Sequence, residues 1–390
     1  MTTLLGISVG QPSNGTAFSR TCGTGYSIEC HENQIRSDIG DATFGFGANR
    51  RYYHDLGDAW PPDGDGTTGR LNRDQLAGRL PVMSYKATVN WSSVTAGASD
   101  AALTTQGNAM RNWQLSHQGT NKWGATTVFY LHHEPNSSVT EGDSTATSYA
   151  DAGAKWRAAL EHIIELWKGL GVLMWNGTWQ NGVLATSQEG LMLGGLNLTW
   201  GESMNSVPND WWPSSATWCN DNIVAPAADA YDRRAGNTTP DGTWDGLPYG
   251  FTWGANAFKN WTDAKRITQA AIGRPLLPFI LETNTEDRAN YGGQDDGHWL
   301  GNGGTNPATK AGSYMNFADW VQSNWPDLFC VNFWDSQASG VPFNFRCDST
   351  APAWTGWEAM VQHPQWMLAA DPLTPSTTST KVMLLDEEYS

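Results

Sequence analysis

The chain has 390 residues, with 39 acidic against 23 basic side chains and a formal net charge of −16. That balance repels phosphate backbones and anionic bilayers, so nucleic acid is not an expected partner. No apolar run is long enough to span a bilayer, so no membrane insertion is expected either. The amino terminus, MTTLLGISVGQPSNG, lacks the basic start and sustained apolar stretch of a signal peptide, which predicts synthesis in the cytoplasm without general export.

In chain order, short β-rich apolar runs fall at 4–10, 78–86, 126–134, 191–200, 222–232, 275–283 and 328–336. A second strand is expected within 33–46. Helical periodicity falls between them, at 101–118, 148–168, 257–272, 312–324 and 354–362. The helix 148–168 is the clearest: Tyr149, Ala152, Trp156, Ala159, Leu160, Ile163, Ile164 and Trp167 lie on one stripe, with charged residues opposite. Strands alternating with helices predict a parallel sheet or barrel. Four runs stay apolar until their carboxyl ends and then turn polar: His-His-Glu, Asp-Ala-Tyr-Asp, Glu-Thr-Asn and Trp-Asp-Ser. That asymmetry predicts an α/β fold of the (β/α)8 TIM-barrel type over 1–370, because barrel strands open onto a site at their carboxyl ends. A doubly wound sheet would call for a Gly-rich phosphate turn after the first strand, and none is present. Residues 371–390, DPLTPSTTST running into KVMLLDEEYS, read as a linker and a short C-terminal tail, either a docking segment or a frayed end.

Two glutamates each close an apolar strand: Glu134 in FYLHHEPN and Glu282 in PFILETNTE. Paired carboxylates across a barrel mouth suit acid-base or nucleophilic chemistry at a glycosidic bond. The 22 tryptophans in a chain only 16% charged favour the same substrate class, since indole faces stack on sugar rings while neutral polar groups meet the hydroxyls. Trp211, Trp212 and Trp179 stand in polar, turn-rich stretches that suggest exposed stacking platforms. No cofactor is implied. Strand alternation puts His132 and Glu134 on one face and His133 on the other, which weakens a metal cluster there. Asp295, Asp296 and His298 share a Gly-rich loop where calcium, a substrate rim or plain solvation are the readings. GISVG around Ser8 fits the nucleophile-elbow pattern, but polar QPSNG follows where a helix is required. The five cysteines show no metal or redox spacing. A Cys22–Cys30 bridge, a Cys330–Cys347 bridge and free buried thiols all remain open.

In this order of motifs the chain resembles the clan A glycoside hydrolases, retaining (β/α)8 enzymes with an acid/base Glu after strand four and a nucleophilic Glu after strand seven. It is most similar to family 26, the β-mannanase and xylanase-like group, where a His precedes the acid/base as His133 precedes Glu134. The resemblance implies Glu134 as acid/base and Glu282 as nucleophile. It also implies that Tyr231 bonds the nucleophile, that His133 faces the substrate, and that Trp334 floors the central sugar subsite. Candidate substrate-binding residues are then His132, His133, Asn136, Trp179, Trp200, Tyr231, Trp253 and Trp334. Pro135-Asn136 replaces the usual Met-Asn or Met-Gly, and the arginine that commonly opens that strand is missing, so sugar specificity does not carry over.

Two functions follow. One is a retaining, endo-acting hydrolase of a polysaccharide, whether β-mannan-like, xylan-like or a bacterial envelope glycan. The other is a non-catalytic glycan-binding or structural component of an assembly. A phage particle assembled in the cytoplasm would give such a chain a route to its glycan, with virion tail proteins met through 371–390.

Overall fold

The computed structural model describes residues 3–9, 28–61, 69–120, 122–180, 183–185, 189–199, 207–230, 251–283, 287–288, 310–335, 343–344 and 351–368. Eight strand-helix units follow one another: β1 (Thr3–Val9) and α1 (Ile28–Ile39), β2 (Ala48–Asp55) and α2 (Arg70–Leu76), β3 (Leu80–Lys86) and α3 (Asp100–His117), β4 (Thr127–Leu131) and α4 (Tyr149–Gly169), β5 (Leu191–Gly195) and α5 (Thr217–Asn222), β6 (Ala227–Asp229) and α6 (Phe251–Ala271), β7 (Phe279–Thr283) and α7 (Lys310–Asn324), β8 (Cys330–Asp335) and α8 (Ala351–Val361).

All neighbouring strands of the main sheet are parallel, in the order β5, β4, β3, β2, β1, β8, β7, β6 and finally the segment Asn197–Thr199. Only Leu196 separates that last segment from β5. The two ends of the ladder are therefore one stretch of chain, and the ring closes through it as a (β/α)8 barrel. The bend lies at Gly194 and Gly195. A Cβ at Gly194 would sit 2.3 Å from the Tyr130 ring, and Gly195 has φ +62, so both positions favour glycine. The β4–β5 register shifts at the same place.

Alternation divides each strand between the barrel interior and the helical layer. Leu80, Val82, Val128, Tyr130, Met192, Ala227 and Phe279 pack in the interior. Met83, Tyr85, Phe129 and Leu131 instead meet α3 and α4. The stripe on α4 buries Ala152, Trp156, Ala159, Leu160, Ile163, Ile164 and Trp167, and the helix is capped by Ser148, whose hydroxyl accepts from the Asp151 amide at 3.1 Å. A second cluster gathers α1, α7 and α8 against β7 and β8 around Trp325, Trp354 and Trp357.

The strand expected within 33–46 is instead α1, followed by β2 at 48–55. Ile28 and Ile35 bury one helical face of α1 together with two polar residues, His31 and Glu32. Glu32 is buried because it accepts from the Phe46 amide (2.9 Å) and from Arg79 Nε (3.0 Å), while Arg79 also reaches Asp74 at 2.8 Å. Such a paired charge hides the helix from an apolar pattern. The run expected at 222–232 is a strand only over Ala227–Asp229; its first residue, Asn222, ends α5, and 223–226 connect the two.

Trp211 and Trp212 are fully buried, not stacking platforms. Trp211 meets Trp91 and Trp156 edge-to-face at 5.7 Å. Trp212 donates to Asn220 Oδ1 at 2.6 Å and carries the Lys265 ammonium over its face at 4.7 Å. Cys330 is a free buried thiol, which removes the Cys330–Cys347 bridge; Cys219 is also free, and Cys30 is disulfide-bonded. Ser8 lies within β1, paired with Trp334 of β8. Trp366–Met367 adds a parallel pair beside Thr3 and Leu4 at the foot of β1. The tail 371–390 lies outside the described residues, as do Asp295, Asp296 and His298. Among the described residues no helix is long and apolar enough to cross a membrane.

Candidate active site

The site grows from the carboxyl end of β4. Val128 and Tyr130 point inward, so continued alternation would send His132 and Glu134 into the barrel mouth and His133 away from it. The chain stops alternating at Leu131. His132 has φ +69 and Glu134 φ +46, left-handed conformations that side chains other than glycine adopt only where the surroundings hold them. Three contacts hold this bend: Trp156 Nε1 donates to the Leu131 carbonyl at 3.0 Å, the His132 amide to the Tyr85 carbonyl at 2.8 Å, and the Ser137 amide to the Glu134 carbonyl at 3.0 Å. The expectation from alternation is thereby reversed. His132 is 1% exposed, with its ring edge-to-face with Trp91 at 5.5 Å and its Nε2 3.3 Å from Glu141. Burial pushes its imidazole down to about 4, with Lys86 acting in the same direction. His133 is the histidine that faces the carboxylates.

Glu282 arrives from β7. A register shift against both β6 and β8 falls between Ile280 and Thr283 and brings Glu282 opposite Asp229 at the end of β6. Bulges next to sites re-aim side chains in this way. The imidazole of His133 then sits among three acids: Nε2 is 4.0 Å from Glu134 Oε2 and 3.6 Å from Glu282 Oε1, and Nδ1 is 3.3 Å from Asp229 Oδ2. The two glutamate oxygens are thus no further apart than the sum of their distances to one nitrogen, a bound that admits the roughly 5–5.5 Å spacing of a retaining pair and the lower end of the roughly 6.5–9.5 Å inverting range. Asp229 is buried and also accepts from Asn197 Nδ2 at 3.1 Å. The Asp229 carboxylate and the Asn197 amide nitrogen, 3.4 Å away, both meet Nδ1 and fix the ring plane, leaving Nε2 toward the two glutamates.

Neither Asp229 nor Asn197 was singled out from sequence. Asp229 closes the apolar run IVAPAAD as Glu134 and Glu282 close theirs, and Asn197 interrupts the run LNL. Both signals were available. Asn136 is buried, and its amide is engaged by the backbone of Thr199. Tyr231 and Trp200, and the side chains of Trp179, Trp253 and Trp334, lie outside the described residues.

Beside Glu134 a cleft of about 420 Å³ runs along the ends of β2, β3 and β4. Asp55 and Asp58 line one wall, and the Lys86–Glu141 ion pair (3.1 Å) lines another. Burial pushes the Glu141 carboxyl up, but hydrogen bonds from Lys86, His132 and Ser137 outweigh it and hold the group below its usual range. Among the described residues, one donor atom each of His133, Glu134 and Asp229 fall within 4.8 Å of one another. This is the grouping that could hold a metal ion, and imidazole-carboxylate pairing already accounts for it.

No family model and no curated protein matches the sequence. Solved structures do match by fold. A GH26 β-mannanase from Bacteroides ovatus is similar at TM-score 0.51 and 12% identity over 97% of this chain and 94% of that one. A GH26 protein from a Muricauda species gives 0.53 and 11% over 96% and 90%. A double mutant of a Cellulomonas fimi endo-β-1,4-mannanase gives 0.51 and 13% over 95% and 73%. At such identities the likeness concerns architecture, and the chain has the (β/α)8 fold of the family 26 glycoside hydrolases.

Proposed function

We propose that the protein is a retaining, endo-acting glycoside hydrolase of a polysaccharide, working by double displacement. The observation that carries this reading is that Glu134 and Glu282 each bring a carboxylate oxygen within 4.0 Å of His133 Nε2 at the carboxyl face of the barrel. In the first step the Glu282 carboxylate attacks the anomeric carbon while Glu134 passes its proton to the departing glycosidic oxygen, leaving a glycosyl ester on Glu282. In the second step Glu134, now a carboxylate, takes a proton from water, and the resulting nucleophile releases the sugar with its starting configuration. His133, held by Asp229, orients both acids. On the sequence resemblance alone, Tyr231 would bond the nucleophile, and Trp334, Trp179, Trp200 and Trp253 would serve as sugar platforms. The structures similar in fold include β-mannanases, so β-mannan is the first polymer to test, followed by xylan and bacterial envelope glycans. Attachment to a virion tail through 371–390 rests on the sequence of that segment alone.

The test is release of reducing ends from a polysaccharide panel by the native chain and by Glu134→Gln and Glu282→Gln, with the anomeric form of the first product read by NMR. Loss of cleavage in both variants with glycan binding kept, and retained configuration, is the expected result. Normal cleavage by either variant would overturn the assignment, and inversion would overturn double displacement. A native chain that binds glycan yet cleaves none points instead to a binding module.

A further inference from the structure

We infer that Asn136 is a positioning residue that sets where the Glu134 carboxyl stands; this rests on the glycosidase reading of the site. Asn136 is 1% exposed, and its amide makes two reciprocal bonds to one backbone unit: Nδ2 donates to the Thr199 carbonyl at 2.9 Å, and the Thr199 amide donates to Oδ1 at 2.9 Å. The side chain thus pairs with the segment Asn197–Thr199 as the backbone of another strand would, and losing either bond would leave a buried backbone group of Thr199 short of a partner. Thr199 is also the register partner of Asp229. The bracket therefore ties the loop carrying the acid to the strand pair that presents Asp229, and through Asp229 to His133.

The acid needs such a tether. Glu134 has φ +46 and precedes a proline, a neighbour that further disfavours helical backbone angles. A strained residue of this kind persists only where its surroundings over-determine it. The turn 134–137 closes on one backbone bond, Pro135 stiffens it, and Asn136 fastens it from outside. Without the fastening, Glu134 relaxes toward negative φ and its carboxyl swings away from the leaving oxygen, while Glu282 on β7 stays in place.

The consequence is a leaving-group signature that global loosening does not produce. A dinitrophenolate departs without proton donation, whereas a phenolate or a sugar needs the acid. Purified full-length Asn136→Ala, Asn136→Asp and Glu134→Gln are assayed on the phenyl and 2,4-dinitrophenyl β-glycosides of the sugar released in the polysaccharide screen. Asn136→Asp keeps the bond from the Thr199 amide but sets a carboxylate oxygen against the Thr199 carbonyl, so it provides a milder second variant if the alanine form does not fold. For the Asn136 variants, kcat/KM on the phenyl glycoside should fall on the order of 10²-fold. On the dinitrophenyl glycoside it should stay within about threefold of native while kcat and KM fall together, because the displaced Glu134 is also the base of the second step. Glu134→Gln should show the same pattern more deeply. Equal losses on both glycosides, or no loss on either, would overturn the positioning role. If Glu134→Gln itself shows no dependence on the leaving group, the glycosidase reading fails first, and the two failures are distinguished.

Discussion

Asp143 offers a sharp test of how the loop after β4 is held. Its side chain is buried and accepts from the Ser92 amide at 2.8 Å, the Thr145 amide at 2.9 Å and the Thr145 hydroxyl at 2.6 Å. Burial alone would raise its pKa, but the hydrogen bonds from Thr145 and Ser92 win and hold it at about 2, against an ordinary 3.8. At 1.36 kcal/mol per pH unit, that difference corresponds to roughly 2 kcal/mol of folding free energy. The folded value lies below the unfolded one, so this stability is fully present above about pH 4 and is lost as pH falls toward 2. In Asp143→Asn, one amide oxygen still serves Thr145, but the NH₂ group faces the Ser92 N–H, donor against donor. Urea unfolding followed by tryptophan fluorescence should show the variant less stable by roughly 2 kcal/mol at pH 7, with the gap narrowing to about half by pH 3. A gap that is absent at pH 7, or unchanged at pH 3, would refute the argument that ionised-state hydrogen bonds hold this loop. Ser92 belongs to the short helix Trp91–Thr95, and Trp91 backs His132, so the same substitution reaches the wall of the cleft.

Two further outcomes are expected. Arg79→Met leaves Glu32 and Asp74 buried without their shared guanidinium, which should cost roughly 3–5 kcal/mol in urea unfolding at pH 7; a loss under about 1 kcal/mol would mean the network is solvated. His132 has a folded value of about 4 against 6.5, so below pH 6.5 the unfolded chain takes up a proton that the native chain refuses, and native stability drops by about 3 kcal/mol between pH 6.5 and 4. His132→Gln should remove that drop, making the variant relatively more stable as pH falls; parallel profiles from pH 7 to 4 would count against a buried neutral imidazole.

The helix 148–168 and the strands β3, β4, β7 and β8 were legible because each buries one periodic face or one apolar run. Glu134 and Glu282 were legible because a carboxylate that closes such a run has few other reasons to be there. α1 and β2 were not: Glu32 and Arg79 are buried as a pair contributed by distant segments, and pattern reading counts each as a surface residue. Trp211 and Trp212 were misjudged for a related reason, since polar neighbours in sequence do not reveal that Trp91, Trp156 and Lys265 will enclose them.

Sequence alone determined the barrel class, the two strand-end glutamates and the histidine pair before the first of them, since these depend on local periodicity and on where apolar runs stop. Which histidine meets the glutamates was a tertiary decision. Local alternation favoured His132 for the mouth, but Trp91 and Glu141 claim its ring, Trp156 and Tyr85 fix the backbone on either side of the bend, and two left-handed residues turn His133 inward toward Asp229 and Glu282. The partners that stabilise that strained bend come from β3, α4, β6 and the loop after β4, and only folding brings them together.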